Sequence, residues 1–552
     1  MRGGRSPSLP RDGRTGSAPG APRAGALASR LGDRILGGRR RDAASGPAAF
    51  MNRSALRRHI VRGTAATFAG NAWAMVVSLI TLPVLLHSLG AEQFGLWALI
   101  QTLSAVTGWA SLVHAGPGTA VTRAVAAADG VGERGQRGRS LGSGIALLAG
   151  CAVAVGTLLA VLGPAVLPRI FAIGAGYAGE FRTAILIFAV QVAAEAMTEG
   201  VESCLEGLQR VDLSRAIDAV RRTFAAGLAC SAAVTGHGLV GVAAAACTGT
   251  AIGLVAALAV MAWVARRDQL VVSVAEMKGL LLASRSIAML RPLGVMERTL
   301  DRLVVGIMLG PAAVAVVEVA TQVANGAAGI LSASAYAVLP ASSWLSARSD
   351  ASGLRTLLVR GTRFSAQITL PVIVLAAIVC APALRLWVGS DAAWAPTLVA
   401  LSTIALVVPL QVGSELLVGT GRAGSVLRAA AAALAVNVIA TVALVHVVGV
   451  TGAFLGTVAA EIVLIPLLAG AFLGVVQQTP LKFVRTVLAS TVAPVLALAG
   501  AAVAISRLPI ADVATVAAAG VTGAGAYTTL LLLARARTGA PARPLRQMFS
   551  ER

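Results

Sequence analysis

The feature that most constrains this chain is a series of long apolar stretches that recurs over nearly its whole length. A helix needs about 20 mostly apolar residues to cross the ~30 Å hydrocarbon core of a bilayer. Hydrophobic residues make up 57% of the 552 residues and charged residues only 13%, which excludes an ordinary soluble domain. Because the stretches lack the strict alternation of a membrane β-barrel, the sequence predicts an all-α integral membrane protein.

Apolar windows and the breakers between them predict fourteen transmembrane helices. The predicted helices cover residues 64–88, 95–116, 141–163, 183–208, 216–236, 239–265, 287–309, 312–338, 364–386, 394–416, 428–448, 452–475, 486–506 and 511–534. Lys and Arg concentrate in the even-numbered connections, with Arg221 and Arg222 counted in the fourth. Since short cytoplasmic loops hold the excess of basic residues, we expect a multi-pass protein of the cytoplasmic (inner) membrane with both termini cytoplasmic.

The two ends of the chain are predicted to form basic tails. Residues 1–62 are expected to be disordered, because Arg, Gly, Pro, Ala and Ser cannot bury a core. This tail either contacts anionic lipids or is an over-extended gene start without a role, and no signal peptide is predicted. Residues 535–552 are predicted to be a basic cytoplasmic tail. The net charge of +22 is attributed to tails and loops, so no nucleic-acid partner is expected.

Two pairs of similar segments indicate an internal duplication. LHSLGAEQFGLWAL (86–99) resembles GIMLGPAAVAVVEV (306–319), an offset of 220 residues. LEGLQR (205–210) resembles LVGTGR (417–422), and the GLVG and GVTG segments that follow them keep an offset of 211. Transporters are often built from such repeats. We therefore predict two six-helix lobes, at 63–265 and 266–475, followed by two added helices at 476–534.

The chain resembles the polysaccharide flippases of the multidrug/oligosaccharidyl-lipid/polysaccharide (MOP) exporter superfamily. The resemblance is carried by LPVLLHSLGAEQFGLW (82–97), LDRLVVGIMLGPA (300–312) and GTGRAG (419–424). It implies a two-lobed, V-shaped MATE-like bundle with a central polar cavity. It also implies export of a lipid-linked oligosaccharide for polysaccharide, O-antigen (lipopolysaccharide) or cell-envelope biosynthesis, by alternating access. Membrane lipids and polysaccharide assembly proteins are the further expected partners.

Polar residues lie in stripes on several predicted helices. Those of helix 4 fall within an arc of about 80°, and helix 7 carries arginines with acidic residues beside them. The candidate cavity residues are Gln191, Glu195, Glu199, Glu202 and Glu206 on helix 4; Arg291, Glu297, Arg298, Asp301 and Arg302 on helix 7; Glu318, Gln322 and Asn325 on helix 8; Gln411 and Glu415 on helix 10; and Asn71 and Gln101 on helices 1 and 2.

Charge at mid-membrane depth is expensive facing lipid, about 2.5 to 3.5 kcal/mol per residue on insertion scales. These stripes therefore face a solvated cavity or pair between helices to fix packing. We favour the cavity, with Arg298 and its neighbours binding a pyrophosphate and Arg298 pairing locally with Asp301. Four glutamates would repel that group, and three accounts stay open. They line the sugar path, some are protonated, or they bind a coupling H⁺ or Na⁺.

Other classes of protein fit less well. The runner-up is a cation-coupled multidrug antiporter of the same superfamily, which the acidic stripe suits but the helix count does not. The longest predicted connections, about 266–286 and 339–363, are too short for the catalytic domain of a membrane glycosyltransferase or polymerase. The five cysteines show neither metal-ligand spacing nor a disulfide pattern. We expect no enzyme activity, no cofactor and no metal site.

Overall fold

The computed structural model describes residues 53–106, 108–171, 173–288, 291–332, 335, 338–488, 491–507 and 512–537. It divides into the units Met1–Arg58 and His59–Arg552. In the first unit only the backbone of residues 53–58 is described, and it is helical.

The described residues form helices and no strand, which confirms the all-α fold. The helices are α1 (Arg53–Gln101), α2 (Ser111–Val131), α3 (Arg134–Ile170), α4 (Ala175–Gly207), α5 (Val211–Val234), α6 (Gly238–Val264), α7 (Val274–Ala288), α8 (Arg291–Met308), α9 (Pro311–Leu331), α10 (Val338–Ala347), α11 (Ala351–Ile378), α12 (Cys380–Val388), α13 (Trp394–Gly419), α14 (Ala423–Val448), α15 (Val450–Val476), α16 (Pro480–Leu488), α17 (Val492–Ser506) and α18 (Asp512–Arg537).

Within the described residues, nine helices are long and apolar enough to cross a membrane, namely α1, α3, α4, α6, α9, α11, α13, α14 and α15. The pair Pro480–Val487 and Val492–Ala504, bent by 49°, would make a tenth. Helices α5 and α8 correspond to the fifth and seventh predicted spans, and both carry several charged side chains. The number of fourteen spans therefore stays a prediction, as do the lobe boundaries and the orientation in the membrane.

Several local predictions were wrong. Residues 53–62 continue α1 instead of belonging to a disordered tail, while the rest of that tail and residues 538–552 lie outside the described residues. The second predicted helix is interrupted between Gln101 and Ser111. Helix α7 occupies most of the 266–286 connection, and α10 lies in the 339–363 connection. These short helices escape a search for apolar windows because neither contains a full span.

Turn conformation supports the duplication. Gly90, at a kink in α1, has φ 73° and ψ 169°, and Gly310, its partner at an offset of 220, has φ 86° and ψ 177°. This region of backbone space is open essentially to glycine alone. Gln209 and Gly421, offset by 212, also share a positive φ, as do Gly238 and Gly449, offset by 211.

Helix packing repeats in the same way. In the first half α3 packs on α4, α4 on α6 and α5 on α6. In the second half the related helices make the same contacts, α11 on α13, α13 on α15 and α14 on α15. Helices α16, α17 and α18 pack on α11 and α12 of the second half, where Arg385 binds Asp512 through two hydrogen bonds of 2.9 Å.

The end of α1 joins the two halves. A side chain at Gly95 would overlap the backbone of Pro311 at the start of α9, and Leu99 packs against Gly306 of α8. In the same segment Trp97 makes an edge-to-face contact with Phe188 of α4. Buried residues of both halves form one continuous apolar cluster around this segment. The end of α1 is thus in contact with the first half and the second half at once.

The chain that leaves α6 is attached to the start of α3. Arg137 binds the buried carboxylate of Asp268 at 2.6 Å and that of Asp129 at 2.7 Å. The Ser140 hydroxyl donates to Glu276 at 3.0 Å at the start of α7. The backbone of residues 269–271 lies directly on Gly138 and Gly142, where no Cβ would fit. The connection between the halves is therefore attached to the first half.

Candidate functional site

The described residues line one cavity mainly in the first half of the bundle and another mainly in the second half, and both have polar side chains in their walls. The first has a volume of about 360 Å³ and is lined by α1, α4, α5 and α6, with α8 and α9 closing one side. The second has a volume of about 490 Å³ and is lined by α8, α9, α13, α14 and α15. Gln101 and Arg302 line both, so the two cavities adjoin. Volumes of this order are typical of small-molecule sites.

The two cavities are formed by repeat-related positions. Val77, Ser78, Thr81 and Leu82 of α1 line the first cavity, and the residues 220 positions later line the second. Those later residues are Glu297, Arg298, Asp301 and Arg302. The duplication therefore places the charged face of α8 where the first half has apolar and hydroxyl side chains.

Helices α5 and α14 reverse this pattern. Arg221 and Arg222 of α5 line the first cavity, whereas their partners at an offset of 212, Ala433 and Leu434 of α14, line the second. The first half therefore carries its charged residues on its fifth helix, α5, whereas the second half carries them on its first helix, α8. Each cavity thus has charged residues on a helix whose repeat partner in the other half is uncharged at the same positions.

In the first cavity both arginines of α5 form ion pairs with one carboxylate. Asp218 lies 2.5 Å from Arg221 and 2.8 Å from Arg222, one turn away on the same helix. Arg221 is buried, with 5% of its surface exposed. Further carboxylates of α4 lie within electrostatic range of this guanidinium, those of Glu195, Glu199 and Glu202. The wall is therefore a compact network of ion pairs.

A second ion pair lies at the boundary between the two cavities. Arg302 of α8 lies 2.7 Å from Glu318 of α9, and both side chains are mostly buried. Both residues line the first cavity, and Arg302 also lines the second. The pair joins the two helices of the hairpin around Gly310.

The second cavity contains polar groups with no partner among the described residues. Arg298 is exposed to the cavity, and no described carboxylate lies within ion-pair distance of it. One oxygen of Asp301 is buried without a hydrogen bond, so the local pair expected between Arg298 and Asp301 is not formed. An oxygen of Glu461 is also unpartnered. Asn437, which accepts from Thr441 at 2.9 Å, adds an amide to the wall.

The predicted site residues fall into three groups. The first cavity takes Gln101, Gln191, Glu195, Arg302, Glu318 and Gln322. The second takes Glu297, Arg298, Asp301 and Asn325, together with the shared Gln101 and Arg302. Outside both lie Asn71, Glu199, Glu202, Glu206, Gln411 and Glu415, and the side chain of Arg291 is outside the described part of the chain.

The acidic stripe of α4 does not act as a unit. Gln191 and Glu195 face the first cavity, but Glu206, four turns lower, accepts from Arg215 of α5 at 2.7 Å. Asn71 is exposed and lies apart from the stripes. Regular helical spacing predicts a shared face, but the neighbouring helix decides which part of that face meets a cavity.

Sequence reasoning missed four residues of the cavity walls. Arg221 and Arg222 fell within the fifth predicted helix but were counted with the basic residues of the fourth connection, so they were not among the candidate cavity residues; both lie inside α5. Their i, i+3 and i, i+4 spacing from Asp218 was the available signal. Glu461 stands alone in an apolar stretch, and its repeat partner Thr250 lines the first cavity. Asn437 had no comparable signal.

Known structures share this architecture. The lipid II flippase MurJ in an inward-closed conformation aligns with 87% of this chain and 100% of its own, at 12% identity and a TM-score of 0.68. An inward-facing multidrug resistance MATE transporter of the MOP superfamily covers 74% of this chain and 96% of its own, at 14% identity and a TM-score of 0.58. A mutant of the Vibrio cholerae MATE transporter VcmN covers 78% and 99%, at 16% and 0.55. The chain has the fold of MOP-superfamily transporters.

The family assignment is more specific. The model of the polysaccharide biosynthesis protein family matches residues 60–346, just over half of the 552 residues. The chain belongs to this family. No curated protein matches it in sequence.

Proposed function

We propose that the protein is a flippase that moves a lipid-linked oligosaccharide across the cytoplasmic membrane for polysaccharide or cell-envelope biosynthesis. The observation that carries the proposal is Arg298, which lines a cavity of about 490 Å³ without a carboxylate partner among the described residues. A guanidinium offers a planar donor fork that matches a phosphate group. Arg221, Arg222 and Arg302 are already paired, so Arg298 is the arginine available for an anionic head group.

The remaining wall of the second cavity suits a glycan. Hydroxyl and amide side chains of Thr403, Asn437 and Thr457 line it beside apolar surface. Such groups both donate and accept hydrogen bonds, as sugar hydroxyls do. Membership of the polysaccharide biosynthesis family supports a glycan cargo, and a lipid II flippase shares the fold over most of this chain. Alternating access between the two halves would then carry the head group across the bilayer.

Arg298→Ala is expected to abolish export of the surface polysaccharide, because no other described residue that lines the second cavity offers an unpaired guanidinium to the head group. Lipid-linked oligosaccharide should accumulate on the inner leaflet of cells whose only copy is the variant. Arg298→Lys should retain an intermediate rate, since an ammonium keeps the charge but loses the fork. The measurement is the surface glycan together with inner-leaflet lipid-linked glycan.

The matched control is Arg355→Ala, which removes an exposed arginine of α11 that lines neither cavity. Its export should equal that of the wild type. Normal export by Arg298→Ala would remove this residue from the mechanism.

A cation-coupled multidrug antiporter is the second candidate. The unpartnered oxygens of Asp301 and Glu461 favour it, because buried carboxylates bind cations, and MATE transporters share the fold. Deleting the gene separates the candidates. The flippase predicts an accumulated lipid-linked intermediate, whereas the antiporter predicts altered drug tolerance and no such intermediate.

A further inference from the structure

The interruption between α1 and α2 lies at the wall of the first cavity. After Gln101 the chain makes tight turns, in which the amide of Ser104 donates to Gln101 at 3.1 Å. The amide of Trp109 then donates back to the carbonyl of Thr102 at 2.9 Å and closes a loop. Gly108 lies so close to this loop that a Cβ would overlap the carbonyl oxygen of Thr102. Inside a membrane protein every amide freed by such a break needs a partner.

The carboxylate of Glu195 supplies one of those partners. One of its oxygens accepts from the amide of Ala105 at 3.1 Å and from the hydroxyl of Ser104 at 2.9 Å. The other accepts from the side-chain amide of Gln191 at 2.9 Å. The amide of Val106 donates to the Ser104 hydroxyl oxygen at 3.1 Å. Glu195 is 4% exposed, so both carboxylate oxygens are committed to protein groups.

The second half provides an internal comparison. Positions 322–330, which follow 102–110 by 220 residues, are helical and belong to α9. The residue 212 positions after Glu195 is Val407 of α13, which has no acceptor to offer. The helix is thus interrupted in the half that has the carboxylate and continues in the half that lacks it.

The interruption also lies where motion between the halves must be absorbed. The end of α1 contacts α8 and α9 of the second half as well as α4 of the first, whereas α2 packs mainly on α3 and α4 of the first half and on α7, with a small contact to α8. Hinges are commonly a few residues at the ends of elements. Ser104 and Val106 line the first cavity, so the conformation of this loop shapes the cavity wall.

We propose that Glu195 is a positioning residue for transport, which holds residues 102–106 in the broken conformation that serves as a hinge between α1 and α2. The inference rests on the proposed function for its transport consequence, although the contact itself does not. Glu195 acts through the loop and not on the cargo, because all its oxygens are occupied by protein groups.

Hydrogen exchange of the purified full-length protein tests the contact without any substrate. In Glu195→Ala the amides of residues 103–106 should exchange at least tenfold faster, while those of α3 stay unchanged. In Glu195→Gln, which keeps one acceptor oxygen, the exchange rate at these residues should fall between those of Glu195→Ala and the wild type. Glu202→Ala is the matched control, a buried glutamate of the same helix with one unpartnered oxygen, and should leave exchange at 103–106 unchanged.

Transport in proteoliposomes tests the role. With lipid-linked glycan extracted from the source cells, Glu195→Ala should lower the maximal rate at least tenfold and change the half-saturating concentration less than threefold. A rise in half-saturation at an unchanged maximal rate would assign Glu195 to cargo binding and overturn the proposal, as would unchanged exchange at 103–106. If the wild type moves no lipid-linked glycan, the proposed function fails, while the exchange result still decides whether Glu195 holds the loop.

Discussion

Asp218→Asn is expected to destabilise the folded protein by about 3 to 5 kcal/mol, a cost typical of breaking a buried ion pair by removing one partner. The substitution keeps the shape of the side chain but leaves Arg221 and Arg222 without the carboxylate that binds both. Arg221 is the more costly of the two because its side chain is only 7% exposed. Unfolding of the purified protein by denaturant in mixed micelles, followed by tryptophan fluorescence, measures the loss.

Asp212→Asn is the appropriate control. Asp212 lies on the same helix and is 3.5 Å from Arg210, but both side chains are about one-third exposed. Exposed ion pairs contribute about 0 to 1 kcal/mol, so this variant should change the unfolding free energy little. Equal losses in the two variants would mean that the charges of α5 are solvated in the cavity and not held as a buried network. The double variant Asp218→Asn with Arg221→Met should recover part of the loss, since it removes the uncompensated charge together with its partner.

The position of Arg221 shows what the sequence could and could not predict. Apolar windows predicted where helices lie, because burying apolar surface in lipid is a property of each segment by itself. The fifth predicted span, 216–236, contained Arg221, but the count of basic residues assigned it to the preceding connection, because an arginine is acceptable inside a span only with a partner. Its partner Asp218 is close in sequence, so local spacing could have revealed the pair.

The internal repeat also contains information about where the cavities lie. An offset of 220 maps the charged face of α8 onto the α1 residues that line the first cavity, so a cavity in each half was implicit in the sequence. The interruption between Gln101 and Ser111 could not be predicted from the repeat. It depends on Glu195, some ninety residues away, and the local sequence around Ser104 reads as an ordinary apolar helix. Contacts between distant segments decide such features, and a single sequence does not contain them in readable form.

Gly138→Val is expected to detach the connection between the halves from the start of α3. A side chain at this position would overlap the backbone oxygen of Gln269, and backbone cannot move aside as a flexible side chain can. Overpacking of this kind costs about 1 to 3 kcal/mol, and here the strain is relieved by moving residues 268–273 away. That movement also breaks the contact of Arg137 with Asp268 and of Ser143 with the amide of Ser273. Trypsin cleavage after Arg267 should therefore become at least tenfold faster.

Gly135→Val tests whether the effect belongs to the contact and not to valine in a helix. Gly135 lies one turn earlier on α3, and a Cβ there meets nothing within 4 Å. Its cleavage after Arg267 should match the wild type, while its helix propensity changes as in Gly138→Val. If both variants are cut at the wild-type rate, the connection is not clamped to α3. If only Gly138→Val is cut faster and also loses export, the clamp is required for the halves to move as coupled bodies, because the detached connection would no longer follow the first half.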